Sequence, residues 1–434
     1  MSRLRKTFLV RRRIDSWVLG AGAAAMPVRI GLGPVILFIF SCIGIYLACG
    51  RHRAARLFAG RFYICVILYA MWSLGLILAR GEPIMENRQV GYTLLFAVFA
   101  FAAPGMVLVR DPLKAFVLGS RIGTFLAFVA ALTLSLFEND RIGVGGNAAV
   151  FAFVAAVAAI GATIPVANPP RFLPNGPLWI ILGTGAVLTS QTRAVLVVIP
   201  VFALIEMVIH LHKAPLKTKV ISYVLVGLAM YGVASIDHIN KIESRFTRMV
   251  EYHKPDDAGR GEAKNPVDAG EQGAKPPAKI RIETSAATRL ALWHGAKQVI
   301  SEHPFIGVGP TAKMAEVRAR AGENVPVLTK FRHVHNTVLD ELLNDGVIGL
   351  ILLSACAWFG LSHLFRHSDS PAMTRCLIYF ILVCTSYGML HNPLLHEVTI
   401  ASIFFFFGAL NAAASRRILA ERRRLAPASA AIER

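Results

Sequence analysis

The chain has 434 residues, 55% of them hydrophobic, and a mean hydropathy of +0.54. Its apolar residues come in long uninterrupted runs, which excludes a soluble domain and points to an all-α polytopic membrane protein. A formal net charge of +20 invites a nucleic-acid reading, but the basic residues sit in short segments between apolar runs, where membrane topology accounts for them, so no nucleic-acid partner is expected. Cys42, Cys49, Cys65, Cys356, Cys376 and Cys384 all fall in or at the ends of apolar runs, and they imply neither a disulfide framework nor a thiolate metal site.

Taken in order, the apolar runs predict about twelve transmembrane helices, near residues 15–29, 32–49, 57–79, 90–109, 115–137, 147–165, 176–190, 194–211, 219–236, 347–365, 374–390 and 398–415. Arg11-Arg12-Arg13 ahead of a short apolar stretch mimics a signal peptide. A second apolar run follows at once, so two uncleaved spans are expected. Pro177 to His210 would run to about 51 Å as one helix, well beyond a hydrocarbon core of about 30 Å, so two spans joined by a turn at Ser190-Gln191-Thr192-Arg193 are predicted.

Lys and Arg alternate strongly between the two sides. Seven segments on one side carry 23 of them, whereas the short loops opposite carry only Arg80, Arg88, Arg141 and Arg193. Basic residues are retained in the cytoplasm during insertion, so both termini are expected there. The resulting plan is nine spans over 1–236, a large periplasmic helical loop over 237–346, three spans over 347–415 and a basic cytoplasmic tail over 416–434. The loop balances sixteen Lys and Arg against fifteen Asp and Glu, so it is no polybasic surface.

Within the loop, Asn240–Tyr252 has the apolar spacing of an interfacial helix. The Pro, Gly, Lys and acid-rich stretch over about 253–280 cannot bury enough surface to order itself and reads as a flexible insert. Thr284–Glu302 reads as a helix with Arg289, Trp293, Ala296 and Ile300 on one face. Gly307-Val308-Gly309-Pro310 is turn chemistry rather than a phosphate-binding loop.

Chemistry concentrates in His333 to Leu350. Thr337 followed by Asp340 resembles a capping box, which would set His335 just outside a helix N-terminus that favours anions. Asn336 either orients the imidazole or caps the helix. The bland alternative is a solvated loop entering a helix. His333-x-His335 supplies at most two metal ligands, so a general base ranks above a metal site and no metal or cofactor is expected. Arg193, on the side where positive charge is sparse, is either a snorkelling arginine or the partner of an anion. Arg289 either lays its stem over Trp293 or joins Arg193 on a diphosphate, which planar guanidinium forks suit. His391 and His396 either line the same cavity or belong to a polar loop. Arg121 reaches the cytoplasmic interface or a helix partner.

Ser190-Gln191-Thr192-Arg193-Ala194, Arg289-Leu290-Ala291-Leu292-Trp293, His303-Pro304-Phe305-Ile306-Gly307-Val308-Gly309, His335-Asn336-Thr337-Val338-Leu339-Asp340 and Gly346-Val347-Ile348-Gly349-Leu350, in that order on a twelve-span layout, resemble the O-antigen ligase family and its wider superfamily with O-antigen polymerases. The resemblance implies a GT-C-like, metal-independent glycosyltransferase of the bacterial inner membrane. It would move O-antigen polysaccharide from undecaprenyl diphosphate to a sugar hydroxyl of lipid A–core oligosaccharide at the periplasmic face. By the same resemblance His335 is the base, Arg193 and Arg289 hold the diphosphate, and Asn336, His333 and Trp293 line the substrate site. An O-antigen polymerase or a protein O-oligosaccharyltransferase would keep these residues, and a polysaccharide flippase or transporter is the alternative from another class.

Overall fold

The computed structural model describes residues 16–28, 31–49, 60–137, 141–144, 146–212, 215–217, 227, 285–321, 331–368 and 370–425, and no strand occurs among them. The helices are α1 Ser16–Val28, α2 Leu32–Cys49, α3 Gly60–Ala79, α4 Arg88–Ala100, α5 Ala102–Met106, α6 Pro112–Phe137, α7 Ala148–Thr163, α8 Leu178–Ser190, α9 Arg193–Leu196, α10 Ile199–Leu211, α11 Ser285–Glu302, α12 Lys313–Ala321, α13 Thr337–Arg366, α14 Pro371–Leu390 and α15 Glu397–Leu425. Among the described residues eight helical stretches are long and apolar enough to cross a membrane, and α1, α7 and α8 are shorter apolar helices. The protein is a multi-pass membrane protein. The predicted span at 219–236, apart from residue 227, the interfacial helix at 240–252, the insert at 253–280 and the N-terminal arginine run lie outside the described residues.

Helix α7 occupies the centre. Every residue from Ala149 to Thr163 is buried, as expected of a helix that is apolar all round, and it packs against α6, α8, α14 and α15. At 16 residues it is about 24 Å long, so its last carbonyls end inside the protein and need donors. Arg121 of α6, fully buried, supplies them. Its Nε donates to Ala162 O at 2.9 Å, Nη2 to Ile164 O at 3.1 Å and to Asn175 Oδ1 at 2.8 Å, and Nη1 to Leu173 O at 2.7 Å. A cation at a helix C-terminus also complements the helix dipole. Of the two roles open to Arg121 in the sequence, helix partner is the one observed.

Other departures from the expected spans have local causes. The run 90–109 is divided at Phe101 into α4 and α5, because α5 presses its backbone onto α2. A Cβ at Gly105 would stand 2.0 Å from Phe40 O. At 190–193 the expected turn is present, with Gln191 in the left-handed region at φ 51° closing α8. Helix α15 runs beyond residue 415 to Leu425, with Arg416 Nη1 donating to Val107 O at 2.9 Å and Val109 O at 2.6 Å.

Helix α13 starts ten residues before its predicted span and breaks at Gly346, where φ is 69° and ψ −168°. The turn 303–309 fills the break. Val347 N donates to Pro304 O at 2.9 Å, while Val308 N and Gly309 N donate to Leu343 O at 2.8 and 3.1 Å. A Cβ at position 346 would stand 2.1 Å from Phe305 O, so only glycine fits. Arg80 caps the junction by donating to Asn344 O at 3.0 Å, to Gly307 O at 3.3 Å and to Ile306 O. These contacts, with those of Arg141 to the 190–192 turn and of Thr337 to His391, gather the polar segments at one end of the bundle.

Replacing Arg121 by Met should leave the α7 carbonyls unsatisfied and cost about 3 kcal/mol, in the range for unpaired buried polar groups. Thermal unfolding of the detergent-purified protein should show a lower midpoint for Arg121→Met; an unchanged midpoint would contradict the capping role.

Candidate active site

The polar end is assembled on one buried carboxylate. Asp340, in the first turn of α13, is fully buried. Its Oδ1 accepts from Lys313 Nζ at 3.1 Å and from Val334 N at 3.4 Å, and its Oδ2 accepts from Asn392 Nδ2 at 3.3 Å. One side chain thus ties α13 to α12, to the 331–335 strip and to the loop before α15. Lys313 is itself buried, so the ion pair is shielded from solvent.

The start of α13 is capped by Asn336, whose Oδ1 accepts from Val338 N at 3.0 Å and Leu339 N at 3.1 Å. The expected Thr337 capping box is therefore displaced by one residue. Thr337 instead donates its hydroxyl to His391 O at 3.4 Å, and Asn336 Nδ2 donates to Met389 O at 3.4 Å. Asn336 is committed to the backbone and does not orient the imidazole.

Trp293 of α11 donates its indole N–H to Val334 O at 2.8 Å, fixing the peptide next to His335. Beneath it Leu292, Ala296 and Val299 form a small core with Met314, Val317, Val334 and Leu343. Arg289 lies on this same face of α11, at i, i+3 and i+7 with Leu292 and Ala296, so burial of the face turns Arg289 inward as well.

His335 adopts φ 56°, a left-handed conformation that a non-glycine residue enters at a cost. Its backbone N–H donates to His333 Nδ1 at 3.2 Å. The two rings lie 4.0 Å apart between centroids, and the His391 ring is 5.6 Å from that of His335. Nδ1 of His335 is buried without a hydrogen-bond partner among the described residues. Burial first, and then the charges of His333 and Arg289, push the His335 pKa down to about 3. Burial and then Arg289 push His391 to about 3 as well, and His333 is lowered chiefly by burial. The imidazoles are neutral across the physiological range.

The arginines share this field. The proton affinity of Arg289 is lowered by burial and then by the charges of Arg193 and Arg141. Arg193 opens α9 directly after the 190–192 turn, which Arg141 braces by donating Nε to Ser190 O at 3.2 Å and Nη2 to Thr192 Oγ1 at 3.1 Å. The structure therefore brings Arg193, Arg289, His333 and His335 together and adds Arg141 and His391. His391 carried an expectation of this kind in the sequence; Arg141 carried only its place on the poorly charged side. Trp293 and Asn336 belong to the scaffold of the site. The 303–309 glycines serve the α13 junction.

Beside the cluster an apolar cavity of about 460 Å³ lies between α13, α14 and α15, bounded by Thr337, Val338, Met389 and Pro393 near the histidines and by Phe404 and Phe407 farther away. Cations, neutral bases and an apolar recess adjoining one another suit an amphiphilic anion with a long apolar tail.

Residues 178–354 match the family model described as O-Antigen ligase. Over this segment, about two fifths of the chain, the sequence is similar to the O-antigen ligase family. The match contains Arg193, Arg289, Trp293, His333, His335 and Asn336, whereas Arg141 and His391 lie outside it. No curated protein matches the chain.

Breaking the Lys313–Asp340 pair leaves one buried charge uncompensated, a loss of about 3–5 kcal/mol. Asp340→Asn and Lys313→Met should each lower the unfolding midpoint sharply, and the double variant should recover part of the loss. Strict additivity in that cycle would show the pair to be uncoupled.

Proposed function

We propose that the protein is an O-antigen ligase, transferring polysaccharide from undecaprenyl diphosphate to a sugar hydroxyl of lipid A–core oligosaccharide at the periplasmic face of the inner membrane, with both of its termini cytoplasmic. The observation that carries this reading is the convergence of neutral His335 with the guanidinium groups of Arg193, Arg289 and Arg141 inside and beside the family-matched segment. The apolar cavity at the same place supports a lipid-anchored substrate.

In the proposed reaction His335 takes the proton of the acceptor hydroxyl as its oxygen attacks the anomeric carbon. The bond to the diphosphate oxygen breaks, and the electron pair leaves with the lipid diphosphate. A diphosphate departs without protonation if its charge is balanced, and guanidinium groups already in position do this without reorganising. Displacement from the opposite face inverts the anomeric centre. The chemistry assigned to these side chains calls for no metal ion, and activity should survive chelators.

The experiment is reconstitution of purified protein with a defined lipid-linked donor and core acceptor. His335→Ala should lower turnover by about 10²–10⁴-fold, the range for losing a general base, with donor binding retained. Arg193→Lys and Arg289→Lys should rescue poorly, because an ammonium lacks the bidentate fork. Near-normal turnover in His335→Ala would remove the base. In cells, losing the protein should remove every core-linked ladder band while lipid-linked polymer persists; a single repeat left on the core would identify a polymerase instead.

The acid limb gives a second check. A histidine at its ordinary value of 6.5 would lose base activity as pH falls through that point, whereas one lowered to about 3 stays deprotonated. For the free enzyme, kcat/KM should hold level from neutral pH down to about pH 5. A fall centred near 6.5 would show that the His335 pKa is not lowered in the folded protein.

A further inference from the structure

Against Lys313 and His333 lies a second cavity, of about 400 Å³, that the transfer chemistry above does not use. Its walls come from the start of α4, the start of α12 and the strip before α13, and they include Arg88, Gln89, Tyr92, Lys313, Arg332 and His333. None of the three arginines of the diphosphate cluster lines it. His333 is the shared wall, since its ring faces this cavity and lies 4.0 Å from that of His335.

The charges within it are unequally committed. Lys313 is held by Asp340 at 3.1 Å. Arg88 and Arg332 are exposed and form no ion pair among the described residues. Glu86 is the one carboxylate in the lining. Two uncommitted guanidiniums therefore face a single acid, beside an aromatic ring and an amide. The volume falls in the range of small-ligand sites, about 300–1,000 Å³. Two of its lining segments are joined through Glu82, which accepts from Asn87 Nδ2 at 3.0 Å and from Thr311 Oγ1 at 2.5 Å.

We propose that this cavity is the acceptor subsite and that it takes a saccharide bearing phosphate or carboxylate groups, held by Arg88 and Arg332 with its reactive hydroxyl passing His333 toward His335. The proposal rests on the transferase reading above.

The test uses the full chain in nanodiscs and three tagged probes, a phosphorylated core oligosaccharide, its dephosphorylated form and its carboxyl-reduced form, with binding measured separately from transfer. The Arg88→Glu/Arg332→Glu variant should bind the charged probe about tenfold or more weakly, while the Arg88→Lys/Arg332→Lys pair keeps most of the affinity. Binding of the lipid diphosphate donor should not move. Affinity of the unaltered protein should fall with salt, as expected for exposed charges. The two modified probes separate phosphate from carboxylate recognition. Equal affinity of the unaltered and charge-reversed proteins for the charged probe would overturn the proposal. So would an effect seen only in discs of anionic lipid, which would assign the cations to headgroups. If the unaltered protein binds the probe charge-dependently but never transfers to it from a lipid diphosphate, the transferase reading fails and the anion cavity stands.

Discussion

The buried carboxylate of Asp340 is the constraint on which the polar end of this protein depends. A charge taken out of water is tolerated only when its lone pairs are satisfied, and Asp340 meets that demand with a lysine, a peptide N–H and an asparagine from three separate parts of the chain. Those partners fix the 331–335 strip, α12 and the loop before α15 relative to the first turn of α13. Two of the three histidines lie on that strip and the third is His391, directly before Asn392. The geometry of the imidazoles therefore follows from one ionic hub.

A second consequence is electrostatic. Placing three imidazoles near three arginines under partial burial leaves the histidines neutral and the guanidiniums as the positive charge of the site. Base and anion receptor are kept apart by residue type, since arginine stays protonated where histidine does not. The same hub holds Lys313, a buried cation, without adding net charge, because Asp340 neutralises it.

Much of the fold was legible in hydropathy. Spans must satisfy their backbone internally, so they announce themselves as long apolar runs, and the observed helices follow those runs closely. What hydropathy does not encode is backbone conformation. The break at Gly346 depends on a positive φ and on a turn about 40 residues earlier in the chain. The division of the fourth predicted span reflects close contact with α2, another tertiary effect. At the site, Arg193 stood out by its unexpected side, and Arg289 and His335 by their motifs. Arg141 was hidden because its partner turn lies 49 and 51 residues away. The Thr337 cap failed by one position, because Asn336 is an equally good capping residue and tertiary bonds to α14 and its loop engage both.

The junction at Gly346 makes the polar layer and the bundle one backbone. Leu343 gives its carbonyl to Val308 and Gly309, and Val347 takes its acceptor from Pro304, so a hydrogen-bond ladder begun in a membrane-spanning helix is completed by a segment outside it. Cut free of the bundle, that segment would expose two amides and lose the floor on which its turn is built. The membrane helix would in turn lose the acceptor for its amide at the break. Neither half keeps its backbone hydrogen bonds without the other.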